Sequence, residues 1–151
     1  MSQSLSKVRD EHLGRMLLKL ERHFTQQVLT KLAADGMEDI TLRHFVIIPH
    51  IDHQGARAVE ISRQVGISKQ AVSKLIDELV QKGYLELKAD PSDGRAHLVF
   101  MSNKGNEFLK SAIKYTQQVE KQWAAEVGEQ EFKTMKSAMN TLLNSPLFSK
   151  S

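Results

Sequence analysis

A chain of 151 residues with 40% hydrophobic and 26% charged residues is long enough to bury a core and has the composition of a globular protein rather than a disordered one. It contains no cysteine, which excludes disulfides, thiolate metal sites and a cysteine nucleophile. A formal net charge of +3 permits a nucleic-acid partner without requiring one.

The first ten residues are polar and of mixed charge, without the apolar stretch of a secretion signal. No segment approaches the run of roughly 18 apolar residues that a membrane span needs. A cytoplasmic protein with no membrane association is therefore expected. From about Leu5 to Leu32 the apolar residues Leu13, Leu17, Leu20, Phe24, Val28 and Leu32 recur every three or four positions. That spacing predicts one long amphipathic helix, closed at Gly36. A second helix is predicted to open at Thr41 and to run through Leu42, Phe45, Ile48 and Ile51, with Pro49 making a kink or an early stop.

The segment from Ala58 to Gly83 carries the most specific pattern. A short helix with Val59, Ile61 and Val65 inward reaches Gly66, where the chain can turn sharply. Ser68 is placed to cap a second helix that buries Ala71, Val72, Leu75, Ile76, Leu79 and Val80 and ends at Gly83. Ile61, Val65, Ile67, Val72 and Leu75 are the expected shared core of this helix pair. The opposite face of the second helix shows Lys69, Gln70, Ser73 and Lys74, two cations and two hydrogen-bonding side chains with no acid among them. Such a face suits a helix whose N-terminal end enters the major groove of DNA. Gln70 can bond adenine, a lysine can reach guanine or phosphate, and Ser68 or Ser73 can contact either. The same face would also serve as the solvated side of an ordinary helical hairpin.

Directly after Gly83, Tyr84, Leu85 and Leu87 predict a strand, and Leu98, Val99, Phe100 and Met101 its return. Asp90, Pro91, Ser92, Asp93 and Gly94 between them are turn formers. A hairpin in this position is the layout of a winged helix. Arg95 at the return of the turn is the side chain expected to enter a narrow minor groove, with Asp93 close enough to orient it through a charge-assisted pair. Beyond the hairpin, a long amphipathic stretch begins at Ser102 and carries Phe108, Leu109, Ala112, Ile113, Tyr115, Val119 and Trp123. Gly128 interrupts it before a last helix with Phe132, Met135, Met139, Leu142 and Leu143. The terminal helices either pack on each other or interlock with a second copy of the chain.

The run Val65-Gly-Ile-Ser-Lys-Gln-Ala-Val-Ser-Lys-Leu-Ile-Asp-Glu-Leu-Val-Gln-Lys-Gly-Tyr-Leu85 resembles MarR-type transcriptional regulators, as does Asp90-Pro-Ser-Asp-Gly-Arg-Ala96 leading to Met101-Ser-Asn-Lys-Gly105. The resemblance assigns Ser68 to Lys74 to the recognition helix and Asp93 and Arg95 to the wing pair. Gly94 stands where many members carry a second arginine or another polar residue, and His50-Ile-Asp-His-Gln-Gly fits no pattern. The resemblance implies a mainly α fold with a small β-wing (α+β), in which a winged helix-turn-helix is flanked by N- and C-terminal dimerisation helices. It implies one domain over 1–151, with the DNA-binding lobe at 40–101 and the dimerisation helices at 5–35 and 104–145. The function it implies is that of a homodimeric repressor on a pseudo-palindromic duplex operator, released by a small-molecule effector. The alternative is a protein-interaction module on a winged-helix scaffold.

No ligand is identified by the sequence, although His12, His23, His44, Arg15, Arg43 and Tyr115 are types that line anion pockets. His50 and His53, with Asp52 near, have a metal-compatible spacing but no third ligand, so neither a metal site nor a cofactor is assigned. No Gly-rich phosphate loop, HExxH or GxSxG motif is present, and no enzyme is expected.

Overall fold

The computed structural model describes residues 12–147; the predicted helix start near Leu5 lies outside them. Helix α1, Leu13–Ala34, buries its apolar stripe only toward the C-terminal end, through Val28, Leu29 and Leu32. Its N-terminal leucines, Leu13, Leu17, Leu18 and Leu20, are exposed. The second predicted helix is much shorter than its apolar spacing suggested. Helix α2 covers Leu42–Phe45, and Ile48–His50 forms a separate 3₁₀ turn with Pro49 in its first positions. Proline has no N–H to donate and disfavours helical backbone in the residue before it, so the chain tightens to i→i−3 bonding. His50 N–H donates to Ile47 O at 3.0 Å and Ile51 N–H to Ile48 O at 3.2 Å.

The unassigned stretch after Pro49 proves to be a turn that feeds a third, minimal strand. Asp52 Oδ1 accepts the Gln54 N–H at 2.8 Å. Gly55 then adopts φ 82°, and a Cβ there would fall 2.6 Å from the Phe100 ring, so the position admits only glycine. The next residue, Ala56, exchanges both backbone hydrogen bonds with Val99, at 3.1 and 2.9 Å.

Helix α3, Ala58–Val65, buries Ile61. Helix α4, Lys69–Gln81, buries Val72, Leu75, Ile76 and Leu79, positions that fall on one face at helical spacing. Of the expected core residues, Val59, Val65 and Val80 are only half-buried, Ala71 is exposed, and Ile67, in the turn ahead of α4, is 36% exposed. Ala71 is one position, about 100° of helical turn, away from Val72, which carries it off the buried stripe and onto the polar side. Strands β1, Leu85–Asp90, and β2, Asp93–Met101, pair antiparallel from Leu85↔Met101 to Ala89↔His97. The core of this part also contains Ile40, Ile47, Ile48, Tyr84, Val99 and Phe108. The Phe108 ring meets Tyr84 edge-on at 5.4 Å and Phe45 at 6.0 Å.

Helix α5, Asn103–Val127, follows the hairpin, and helix α6, Glu129–Leu143, follows α5 after Gly128. The chain divides into two compact units, with the boundary inside α5 between Ile113 and Lys114. In the second unit Lys136 of α6 pairs with Glu120 of α5 at 2.8 Å. No residue of α6 is buried, although it carries Phe132, Met135, Met139, Leu142 and Leu143 on one side. None of the described helices is long and apolar enough to cross a membrane.

Candidate nucleic-acid interface

The site is assembled from the front of α4 and the hairpin beside it. The Ser68 hydroxyl accepts the Ala71 N–H at 3.1 Å, which satisfies one of the free donors of the first turn and starts α4 where the sequence placed it. Burial of Val72, Leu75, Ile76 and Leu79 sets the helix rotation. Lys69, Gln70 and Lys74 are consequently exposed, and Ser73 is half-buried. Lys69, Gln70, Ser73, Lys74 and Asp77 line one shallow surface on this helix. A deeper groove of about 460 Å³ lies between α4 and the hairpin, and its walls include Lys69, Ser73 and Asp77 on one side and Asp93, Arg95 and His97 on the other. The structure thus brings Lys69 and Ser73 of the predicted recognition helix to one groove with the predicted wing pair, while Gln70 and Lys74 lie on the adjoining shallow surface and Ser68 lines neither. The two acids on the groove, Asp77 and Asp93, lie beyond the acid-free stretch from Lys69 to Lys74.

The wing differs from expectation in two respects. The turn is tighter, because β2 already begins at Asp93 and Asp90 pairs with Asp93 across Pro91-Ser92. The register then slips between Ala89 and Asp90, which leaves Gly94, Arg95 and Ala96 without cross-strand partners. Arg95 therefore projects from an irregular, bulged segment rather than from the turn, and bulges commonly re-aim a side chain in this way. The second difference is electrostatic. Asp93 does not pair with the Arg95 guanidinium; its Oδ1 accepts the Arg95 backbone N–H at 3.2 Å, an Asx turn that shapes the backbone instead. Among the described residues the Arg95 guanidinium has no hydrogen bond or ion pair.

The charged pair that does form was not foreseen. Arg57, immediately before α3, donates from Nε to Asp90 Oδ2 at 2.6 Å and makes a second contact to the same oxygen from its terminal nitrogen. It also reaches Ser92 Oγ at 3.1 Å. Asp90 is only 5% exposed. Its other oxygen accepts the Ser92 hydroxyl at 2.7 Å and the Ser92 N–H at 2.8 Å. These two bonds from Ser92, together with the Arg57 guanidinium, hold the Asp90 carboxyl at about 2, below its usual 3.8. Two charged residues 33 positions apart give no periodic signal, so the sequence marked Asp90 and Ser92 only as turn formers.

A second buried polar contact supports α4 from behind. His44 of α2 is 1% exposed, and its Nδ1 accepts the Thr41 N–H at 3.0 Å. That leaves Nε2–H to donate to Glu78 of α4 at 3.2 Å. The bond from His44 lowers the Glu78 carboxyl below its ordinary range, with Arg43 adding to the effect. His44 and Arg43, considered above as pocket types, are thus engaged in holding α2 to α4. His50 binds Gln64 at 2.7 Å through Nδ1. Among the described residues no group of three or more His, Asp or Glu side chains is placed to hold a metal ion.

Two helices crossing at a glycine turn, followed by a bulged hairpin and backed by a one-residue third strand, define a winged helix-turn-helix. Residues 38–96 match the family model described as "MarR family"; the match covers the helix-turn-helix and most of the wing, and the chain is similar to that family over this segment. The transcriptional repressor MprA of Escherichia coli K12 is 21% identical over 101 residues, 67% of this chain but 57% of its own length. The chain thus spans little more than half of that relative. The crystal structure of apo MarR from E. coli is 21% identical with a TM-score of 0.74, covering 87% of this chain and 97% of MarR. The repressor CouR, solved on a 23-mer DNA duplex, is 22% identical with a TM-score of 0.70, covering 89% of this chain and 94% of CouR. CouR of Rhodococcus jostii RHA1 has also been solved bound to p-coumaroyl-CoA, at 16% identity and a TM-score of 0.67, over 89% and 94% of the two chains. At these identities the solved structures establish the fold.

Proposed function

We propose that the chain is a homodimeric transcription regulator that binds duplex DNA sequence-specifically and is released by a small-molecule effector. The observation that carries this reading is the unpaired Arg95 guanidinium on the same groove as the acid-free face of α4. Ser68, Lys69, Gln70, Ser73 and Lys74 are assigned to the major groove, Arg95 to the adjacent minor groove, and Asp93 to shaping the Arg95 backbone. The lobe at 40–101 is the DNA-binding part, and the helical regions at 5–35 and 104–145 are the dimerisation part. The match of residues 38–96 to the MarR family model supports the DNA partner, as do the DNA complex of CouR and the repressor MprA; the p-coumaroyl-CoA complex of CouR supports an effector. Exposed Met135, Met139, Leu142 and Leu143 on α6 support the second copy.

The test is binding to the duplex upstream of the protein's own coding region, followed by fluorescence anisotropy across salt concentrations. A dimer making about six phosphate contacts loses on the order of a thousandfold in affinity between roughly 50 and 200 mM salt. The footprint should be a pseudo-palindrome with half-sites about 34 Å apart. A flat salt response would leave a protein-interaction module as the better reading.

A further inference from the structure

The bonds among Arg57, Asp90 and Ser92 join the start of α3 to the far end of the hairpin. Arg57 sits at the start of α3, its backbone N–H donating to Glu60 Oε2 at 3.1 Å. Asp90 and Ser92 occupy the far end of the hairpin, where β1 turns into β2. A two-stranded ribbon this short is not stable by itself. This one is anchored at one point by the Ala56–Val99 bridge and at its far end by the guanidinium. At that anchor the ladder slips, between Ala89 and Asp90, and Arg95, three residues past Ser92, lines the groove.

From this geometry we propose that Arg57, Asp90 and Ser92 form a latch that holds the wing in place, so that Arg57 is a positioning residue for Arg95. The proposal rests on the DNA-binding reading for its consequence, though not for its mechanism. Arg57 itself also lines the groove beside Lys69 and Arg95. A cation in that place would ordinarily be counted as a phosphate contact. The geometry spends it otherwise: both oxygens of a nearly buried carboxylate are satisfied, one by Arg57 and one by Ser92, and the guanidinium fork is oriented toward the wing.

This distinction can be tested by sign. Asp90→Asn removes a negative charge beside the groove and releases Arg57, so a purely electrostatic role predicts tighter binding to duplex and a steeper salt response. A latch predicts the reverse, because a loosened wing no longer holds Arg95 at the minor groove. Arg57→Lys retains the charge and loses the fork. Ser92→Ala removes one strut and disturbs folding least. Each variant is compared with the parent in three measurements: thermal unfolding, amide hydrogen exchange at residues 85–101 in the free protein, and anisotropy on an A·T-flanked operator and its G·C-flanked copy.

The expected result for Asp90→Asn and Arg57→Lys is exchange about tenfold faster in the hairpin, with α3 and α4 unchanged. Affinity should fall roughly tenfold on the A·T-flanked duplex and clearly less on the G·C copy. Ser92→Ala should move the same readouts in the same direction by a smaller factor. Tighter binding by Asp90→Asn to both duplexes, or unchanged hairpin exchange in all three variants, overturns the latch. If the parent binds no duplex, the DNA-binding reading fails, and hairpin exchange still decides whether the latch exists.

Discussion

Helices α4 and α6 have nearly the same sequence logic and opposite fates. In α4, apolar residues at positions 72, 75, 76 and 79 form one stripe, and all four are buried, Leu79 completely. In α6, apolar residues at positions 132, 135, 139, 142 and 143 form a comparable stripe, and none is buried, with Leu143 67% exposed. The first helix has its cover within the same chain, from the residues of α3, the hairpin and α2. The second presents its apolar side to solvent, where each partly exposed leucine forgoes part of the roughly 1.5–3 kcal/mol that full burial contributes. Amphipathic spacing states which side of a helix avoids water and leaves open what will cover it.

The largest expected effect tests the cover on α6. Leu142→Glu together with Leu143→Glu places two charges on that stripe; on the proposed reading, light scattering should return a dimer for the parent and a monomer for the variant. DNA binding should fall below detection with it, since two half-sites must be held at once. A parent that is already a monomer at micromolar concentration would remove the second copy as the answer.

Next comes α4, where the cover is intramolecular. Leu79→Ala should cost about 2–5 kcal/mol of stability, independent of protein concentration, because a cavity opens in an enclosed core. Denaturant unfolding at two protein concentrations, run beside Leu142→Ala, sharpens the contrast: the α6 variant should lose stability in a concentration-dependent way. Equal behaviour of the two variants would mean that the two stripes do not differ in kind.

On the polar side of α4 and on the wing, effects should be confined to binding. Arg95→Ala should cost roughly 1–3 kcal/mol of DNA affinity per protomer, mostly on A·T-rich flanks, with the melting temperature unchanged. Lys69→Ala and Gln70→Ala should change preference among operator sequences instead. Identical isotherms for Arg95→Ala and the parent on both duplexes would make the wing a bystander. The smallest effect is Ser68→Ala, which should cost about 1 kcal/mol of stability through the lost N-cap. Any loss of DNA affinity beyond that shared with a cap-restoring Ser68→Asp variant at matched stability would speak for a contact by the hydroxyl itself.

Legibility followed the length scale of the interaction. The start of α4 at Ser68, its end before Gly83 and the break at Gly128 all depend on one or a few neighbouring residues, and each stands where local chemistry put it. Pro49 marked trouble in the second helix, but the spacing of Ile48 and Ile51 suggested more helix than the four residues of α2. The stretch His50-Ile-Asp-His-Gln-Gly55 was opaque because its role is to bring Ala56 to Val99, a pairing 43 residues away that leaves no period to read. Within the site, the exposed face of α4 was readable since its rotation follows from the buried stripe. The partner of the wing acid was not: Asp93 lies close to Arg95 in sequence, yet the bulge turns it to the backbone, while Asp90 takes the distant Arg57.

By itself the sequence determined the order of elements, the turn at Gly66 and the residue types presented by α4, because backbone preference and helical periodicity act over a few positions and need no tertiary partner. The tertiary structure alone decided the bulge that projects Arg95, the single-residue third strand at Ala56, and the choice of Asp90 as the partner of Arg57. Those depend on which distant groups arrive at the same point. A charged side chain with two acids in reach is assigned by geometry and desolvation, which sequence separation does not encode.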